Sequence, residues 1–380
     1  MRPRFGSVLV AATGLSCLVG SALRAQGALS TLGFGYPSGQ LSTRALATGG
    51  SLADFDPNSP LNPAALVSAA RAVVYLQYDP EFRSLTVDGR NASTTTARFP
   101  LFSMTGRIAG FGVGLAFSSF LDRTWMNVYT DTQTVGGQRL AVVDTARSSG
   151  GISDARAAIS YSIGKDYHVG LGIHVFPGEN RTRIGRSFAD SLQIGSFSQE
   201  NTFNFSGSAV SLGLLATPTP QWNLALTGRL GGAMKIRQGD STVIGSARVP
   251  ARWSGSIAFL GFPGSALAAH YVTEQWSSLR GLGSQGLPIH DATEFGAGAE
   301  IAGPKLSGAP LQMRVGVRAR DLPFSLDASK VREQSLMGGI GLPISGGRGS
   351  ADLSISRARR TAGGVSETGW IVSFGLGIRP

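Results

Sequence analysis

The chain has 380 residues, 53 of them Gly, with 42% hydrophobic, only 15% charged and a formal net charge of +11. A soluble protein of this length carries about a quarter charged residues and far less Gly, so the composition points to a membrane β-wall with one lipid-facing surface and small residues on the other. The arginines are dispersed rather than clustered with aromatics, which argues against a nucleic-acid partner.

The first residues read as an export leader. Arg2 and Arg4 form a charged start, Phe5 to Val19 is apolar, and Gly20-Ser21-Ala22 or the stretch to Ala25 offers small residues for cleavage. Residues 1–25 are therefore expected to be a signal peptide, with the mature chain starting near Gln26. Its loss takes Arg2, Arg4 and Arg24, yet the remainder stays basic. The only cysteine, Cys17, lies inside this leader, so the exported chain has no thiol for a disulfide or a metal. Lipid attachment at Cys17 is disfavoured: Gly14 stands where such a signal wants an apolar residue, and Leu18 to Leu23 would be left as an unexplained apolar tail.

Beyond the leader no run reaches the roughly 18 apolar residues of a membrane helix. Period-two alternation recurs instead. Trp370, Val372, Phe374, Leu376 and Ile378 alternate with Ile371, Ser373, Gly375, Gly377 and Arg379; Val169 to Val175 and Phe111 to Phe117 repeat the pattern. One face is apolar and the other is Gly, Ala, Ser and single charges, as a lumen narrowed by a plug or ligand requires. Turn signals fall at 109–110, 164–166, 217–220, 262–264, 304–309 and 345–349. Longer polar segments, near 80–97, 122–151, 178–200, 232–250, 277–292, 321–334 and 360–367, alternate with them. Residues 67–380 are thus predicted to form an all-β, antiparallel transmembrane β-barrel of about fourteen strands with both termini in the periplasm. Trp125, Trp222, Trp253, Trp276 and Trp370 all fall near predicted strand ends, where aromatic girdles lie.

Residues 26–66 do not alternate, and their Pro and Gly content disfavours strand. They pass through Leu41 to Gly50 and Asp54 to Pro60 and end on Asn62-Pro63-Ala64-Ala65-Leu66. This stretch resembles the N-terminal hatch of FadL-type outer-membrane transporters of long-chain fatty acids and hydrocarbons, in which an Asn-Pro-Ala-Gly-Leu motif precedes the first strand. Here Ala65 replaces the Gly, and the preceding stretch is shorter and richer in Pro. The resemblance implies a plug over residues 26–66, with Asn62, Pro63, Ala64 and Leu66 as its motif, and passive uptake of a hydrophobic small molecule. In that scheme the ligand lands among the loops, moves to an apolar site and leaves sideways through the wall. Phe120, Trp125, Met126, Phe188 and Phe197 are candidate ligand contacts on the loop side. The partners implied are outer-membrane lipid and the hydrophobic ligand, with no cofactor and no metal. The alternative is a barrel similar to the PorV-type shuttles, which bind a secreted protein domain. No Gly-x-Ser-x-Gly elbow, His-Glu-x-x-His or phosphate loop is present, so no enzyme is expected. A serine–histidine arrangement assembled in space around His270 or His290 is the competing reading.

Hairpin arithmetic predicts a register. Antiparallel partners have a constant residue-number sum. The hairpin around 304–309 then sets Glu300 beside Arg314, Glu294 beside Arg320 and Arg318 beside Gly296. The hairpin around 262–264 sets Arg252 beside Glu274 and Ser256 beside His270. These charges are expected to face the lumen, because Arg on the lipid face costs about 2–4 kcal/mol near the midplane.

Overall fold

The computed structural model describes residues 25, 26, 29, 34–69, 71–87, 90–135, 137–188, 195–239, 242–282, 288–306, 309–326, 329–344 and 348–379. The expected leader, with Cys17, lies outside the described residues apart from Ala25. Two short strands, β1 (Ala25–Gln26) and β2 (Tyr36–Pro37), precede the wall. The wall opens with β3 (Val73–Val87), β4 (Arg90–Ile108), β5 (Phe111–Asp122), β6 (Trp125–Val135), β7 (Gln138–Ile163), β8 (Tyr167–Phe188), β9 (Phe197–Thr219) and β10 (Trp222–Gln238). It continues through β11 (Thr242–Arg248), β12 (Arg252–Phe259), β13 (Ala266–Glu274), β14 (Ala292–Leu306), β15 (Ala309–Leu326), β16 (Ser329–Ile344), β17 (Gly349–Ala362) and β18 (Val365–Ile378). Every wall pairing is antiparallel, and β18 returns to β3 with Trp370 opposite Phe82 and Leu376 opposite Leu76. The result is a closed barrel of 14 strands, because β6 prolongs β5 and β11 leads into β12.

The predicted turns all join neighbouring strands at one end. The segments predicted as long loops need correction, since much of 80–97, 122–151 and 178–200 is strand. β7 runs for 26 residues and β8 for 22, whereas about 9–11 cross a bilayer. The excess forms hairpins standing in water, where both faces are polar and the alternation that marks a strand vanishes.

Side chains divide as the pleat demands. Trp370, Phe374, Leu376 and Ile378 on β18 are exposed outward, while Ser373 and Glu367 are buried inward. Trp222 and Trp253 also face outward, but Trp276 does not belong to the girdle: it is buried at 2% exposure in a 3-10 turn, Trp276–Leu282. Its strand-end position in sequence is a position beneath the loops in space.

The plug fills the lumen. Ser42 caps helix α1 (Thr43–Ala47) by accepting from the Ala45 N–H, and 3-10 turns follow at Ala53–Phe55 and Pro63–Ser68. The side chain of Asn62 caps the last of these, accepting from the Ala64 N–H at 2.9 Å and donating to the Asp54 carbonyl at 3.0 Å. Pro63 follows at the first position of the turn, where its missing N–H costs nothing. The Gly-rich inner face now has a cause. A Cβ at Gly170 or Gly213 would strike the Asn62–Ala64 segment, one at Gly112 or Gly114 would strike Leu66, and one at Gly298 or Gly316 would strike Thr48. The plug is therefore seated in sockets where wall backbone and plug backbone touch.

The ladder is interrupted between β4 and β5. β4 pairs with β5 only from Leu101 opposite Ser118 to Ile108 opposite Phe111. Beyond that the free edge of β5 and β6 is met by the N-terminal segment, Tyr36 opposite Asp122 and Ala25 opposite Asn127. The segment before Gly39 thus lies at the loop end, and only the remainder of 26–66 descends toward the turns. Gly35, at φ +126°, permits the close approach: a Cβ there would lie 2.9 Å from the Asp122 carbonyl and the Leu121 side chain.

Candidate functional site

Above the plug the inner wall turns apolar. Phe120 of β5, Phe176 of β8, Phe205 of β9, Met234 of β10, Trp276 and Phe324 of β15 form one buried cluster, joined by Leu29 and Phe34 of the N-terminal segment. The Phe120 ring stacks on Trp276 at 5.1 Å and meets Phe176 edge-on at 4.9 Å, while Phe34 meets Trp276 edge-on at 6.2 Å. Trp276 keeps its indole N–H satisfied by donating to Glu274 at 2.8 Å, as a buried Trp requires. A small cavity of mixed lining lies between plug and wall, bordered by Gln40, Asp54, His270 and Glu294 on one side and by Phe120 and Trp276 of the cluster on the other.

Charges surround this cluster on its wall side. Tyr36 sits within a cage of guanidinium groups from Arg83, Arg98, Arg320 and Arg360, whose Cζ atoms lie 4.9–5.7 Å from its ring centre. Its hydroxyl donates to Glu333 at 2.9 Å and accepts from Arg320 at 2.5 Å. Arg360, fully buried, reaches Glu81, Glu333 and Glu367 at 2.9, 2.6 and 2.7 Å. Removing one partner from such a set costs about 3–5 kcal/mol, because a buried charge is left uncompensated. Sequence reasoning missed Glu81, Glu333, Arg360 and Glu367, because each fell in a segment assigned to a loop.

The two hairpin registers are those the arithmetic predicts. Glu300 stands opposite Arg314, Glu294 opposite Arg320, Gly296 opposite Arg318, Arg252 opposite Glu274 and Ser256 opposite His270. Register partners are not always bonding partners. Arg314 does bond Glu300, at 2.6 Å, but the same carboxylate also receives Arg44 of the plug. Glu294 is met by His270 at 3.0 Å, and Arg320 by Glu333 at 2.7 Å. Arg252 and Glu274 stand 3.6 Å apart, and Arg318 reaches Glu333 at the same distance. Ser256, with Ser254 and Thr227, donates to Asp54 of the plug instead of to His270. The plug competes for inward groups, and a pairwise hairpin argument contains no plug.

Asn62, Pro63, Ala64 and Leu66 are all buried in the sockets described above. Of the candidate ligand contacts, Phe120 lies in the apolar cluster. Trp125 and Phe188 are half-buried on the protruding hairpins, and Met126 and Phe197 are exposed there. Phe34, Phe176 and Phe205, which share the cluster with Phe120, were not singled out, and Trp276 was read only as a girdle residue. The period-two inward position of Phe176, in line with Gly172 and His174, is the signal that would have found it.

His270 and His290 each have a polar partner, Glu294 and Ser325 respectively, but the serine–histidine–carboxylate chain of this barrel is elsewhere. Ser211 of β9 and His174 Nε2 of β8 are 2.9 Å apart, and His174 Nδ1 is 2.9 Å from Asp154 of β7. Asp154 also accepts from Gln40 of the plug at 2.9 Å. Among the described residues no group of His, Asp or Glu side chains gathers as metal ligands would.

Fold and site together define a plugged transmembrane β-barrel of the outer-membrane type, with a buried aromatic cluster between its plug and its loops. In fold it is similar to FadL-type channels. A FadL homologue from Pseudomonas aeruginosa superposes with a TM-score of 0.65 over 91% of this chain and 99% of its own, at 13% identity. The CymD monoaromatic hydrocarbon channel gives 0.57 over 90% and 97% at 14% identity. A deltaS2 mutant of the TodX monoaromatic hydrocarbon channel gives 0.54 over 89% and 98% at 15%. At these identities the likeness is one of fold. No family model and no curated protein matches the sequence.

Proposed function

We propose that this chain is an outer-membrane channel for the passive uptake of hydrophobic small molecules, of the long-chain fatty acid or hydrocarbon class. In this reading residues 1–25 are the leader, 26–66 the hatch and 67–380 the barrel. The observation that carries the proposal is the aromatic cluster of Phe120, Phe176, Phe205 and Trp276 above the plug, beside the place where β4 and β5 part. An apolar ligand entering from the loops would find apolar walls there, and where β4 parts from β5 the two-residue strands β1 and β2 stand in for the ladder, so their displacement would give it a sideways path into lipid that avoids the filled lumen. Two fold neighbours being hydrocarbon channels supports the same class.

The test is uptake of a labelled long-chain fatty acid and of a labelled alkylbenzene into vesicles carrying the purified barrel. Phe120→Asp places an uncompensated charge in the cluster and should cut uptake at least tenfold, against a Val243→Asp control on the exposed β10–β11 hairpin that should not. Equal uptake by Phe120→Asp and the wild type removes the apolar compartment from the route.

A further inference from the structure

The Ser211–His174–Asp154 chain does more than link three strands. We propose that it is a hydrolytic site, with Ser211 as nucleophile, for esters carrying an apolar acyl chain.

Four observations carry this. First, the connectivity is that of an activated serine: Ser211 Oγ meets one imidazole nitrogen at 2.9 Å, and the other meets both Asp154 carboxylate oxygens, at 2.9 and 3.0 Å. Second, Asp154 is itself held, by Gln40 Nε2 at 2.9 Å. Gln40 has φ +57°, a conformation that non-Gly residues rarely adopt and that concentrates at functional sites. Third, a buried cation with free donors lies beside the nucleophile. Arg156, opposite His174 in the ladder, is 5% exposed, and its Nε and Nη1 have no hydrogen-bond partner. A Cβ built on Gly172 would overlap Ser211 Oγ and lie 3.6 Å from Arg156 Cδ, so both side chains border that glycine. Donors fixed there are placed to receive a developing oxyanion. Fourth, the chain lies between the plug motif and the aromatic cluster. Gly170 and Gly213, on the turn side of Gly172 and Ser211, contact Pro63, Ala64 and Asn62; on the loop side the Phe176 ring stacks on His174 at 6.0 Å. An acyl chain in the aromatic cluster would bring its carbonyl to Ser211.

The chemistry balances with water as the only co-reactant. Ser211 Oγ bonds to the ester carbonyl carbon as its proton passes to His174 Nε2, and Arg156 N–H groups hold the oxyanion. Collapse expels the alcohol, which takes the proton from His174. Water then adds to the acyl-serine with His174 as base, and collapse releases the carboxylic acid and restores the Ser211 hydroxyl.

The test uses the purified full-length barrel in detergent, an alkyl fluorophosphonate probe and p-nitrophenyl alkanoates. An adduct should appear on the Ser211 peptide by mass spectrometry, be absent in Ser211→Ala and fall at least 100-fold in rate in His174→Gln. Hydrolysis should fall in parallel, with each variant shown to be folded by its heat-modifiable mobility. Because Phe34 packs in the same buried cluster as Phe176, Phe34→Ala, which opens space there, is run beside the wild type and should react faster. Absence of a Ser211 adduct in both overturns the proposal, as does hydrolysis that survives Ser211→Ala. Hydrocarbon uptake by Ser211→Ala should match the wild type, so this proposal and the channel reading fail separately.

Discussion

Gly213→Ala is the sharpest test of the plug. A methyl group there would run into Asn62 Oδ1 and lie 2.9 Å from the Ala64 nitrogen and Pro63 Cδ. The wall cannot yield, because β9 is hydrogen-bonded along both edges, to β8 and β10. The Asn62 segment must move instead. Overpacking of this kind costs about 1–3 kcal/mol, and losing the Asn62 cap on Ala64 adds about 0.5–2 kcal/mol. The seated plug therefore loses about 1.5–5 kcal/mol relative to an unseated one, which multiplies the unseated population about tenfold to a few thousandfold. Single-barrel conductance in planar bilayers reads that population directly. The control is Gly255→Ala, where the nearest atom to the added methyl is Leu226 Cδ2 at 3.6 Å, an ordinary contact. More frequent or larger open events in Gly213→Ala, with Gly255→Ala like the wild type, are expected. Equal records for all three, from barrels that remain heat-modifiable, would falsify the socket argument.

Deleting residues 26–66 behind an intact leader should give a larger and permanent conductance, and an unchanged record would place the segment outside the current path. N-terminal sequencing of the protein from the outer-membrane fraction should begin between Leu23 and Ala28; a chain that retains residues before Phe5 refutes the leader. The double variant Glu294→Cys, Arg320→Cys should crosslink with a short bifunctional reagent, since the two positions are direct partners. It should also resist a lipid-soluble maleimide, and labelling from the bilayer would reverse the face assignment. Arg44→Ala should loosen the plug by freeing Glu300, which it holds with two hydrogen bonds at 2.7 and 2.8 Å. Faster proteolysis within residues 38–66 is the readout, and protection equal to the wild type assigns the seat to the glycine sockets alone.

Much of the wall was legible because lipid enforces a period of two on every strand that crosses it. Turn centres and alternation together gave the β12–β13 and β14–β15 registers residue by residue. Legibility stopped where the lipid stopped. Glu333 and Arg360 are flanked outward by Arg332, Gln334, Arg359 and Thr361, so polar residues on both faces imitated loops, and Glu81 was hidden by Pro80 and the charged residues around it. Trp276 marks a second limit, because nothing local distinguishes an indole that girdles the barrel from one folded back beneath the loops. The Ser211–His174–Asp154 chain marks a third. The short turn at 164–166 ties β7 to β8 and sets Arg156 opposite His174, but the connection from Phe188 to Phe197 fixes no register. The position of Ser211 across from Gly172 therefore appears only in three dimensions.

The glycine sockets reverse the usual map of mutational tolerance. In a water-soluble protein the large buried side chains are the sensitive ones, and the exposed small ones change freely. In this barrel Leu226, Ile257 or Val315 on the outer surface need only remain apolar, since a lipid tail adapts to any shape. Gly112, Gly170, Gly213 and Gly316 admit no replacement without displacing backbone. A saturation scan scored for retention of the plug should single out the positions with no side chain at all. Drift in this sequence would accordingly be fastest on its most hydrophobic surface.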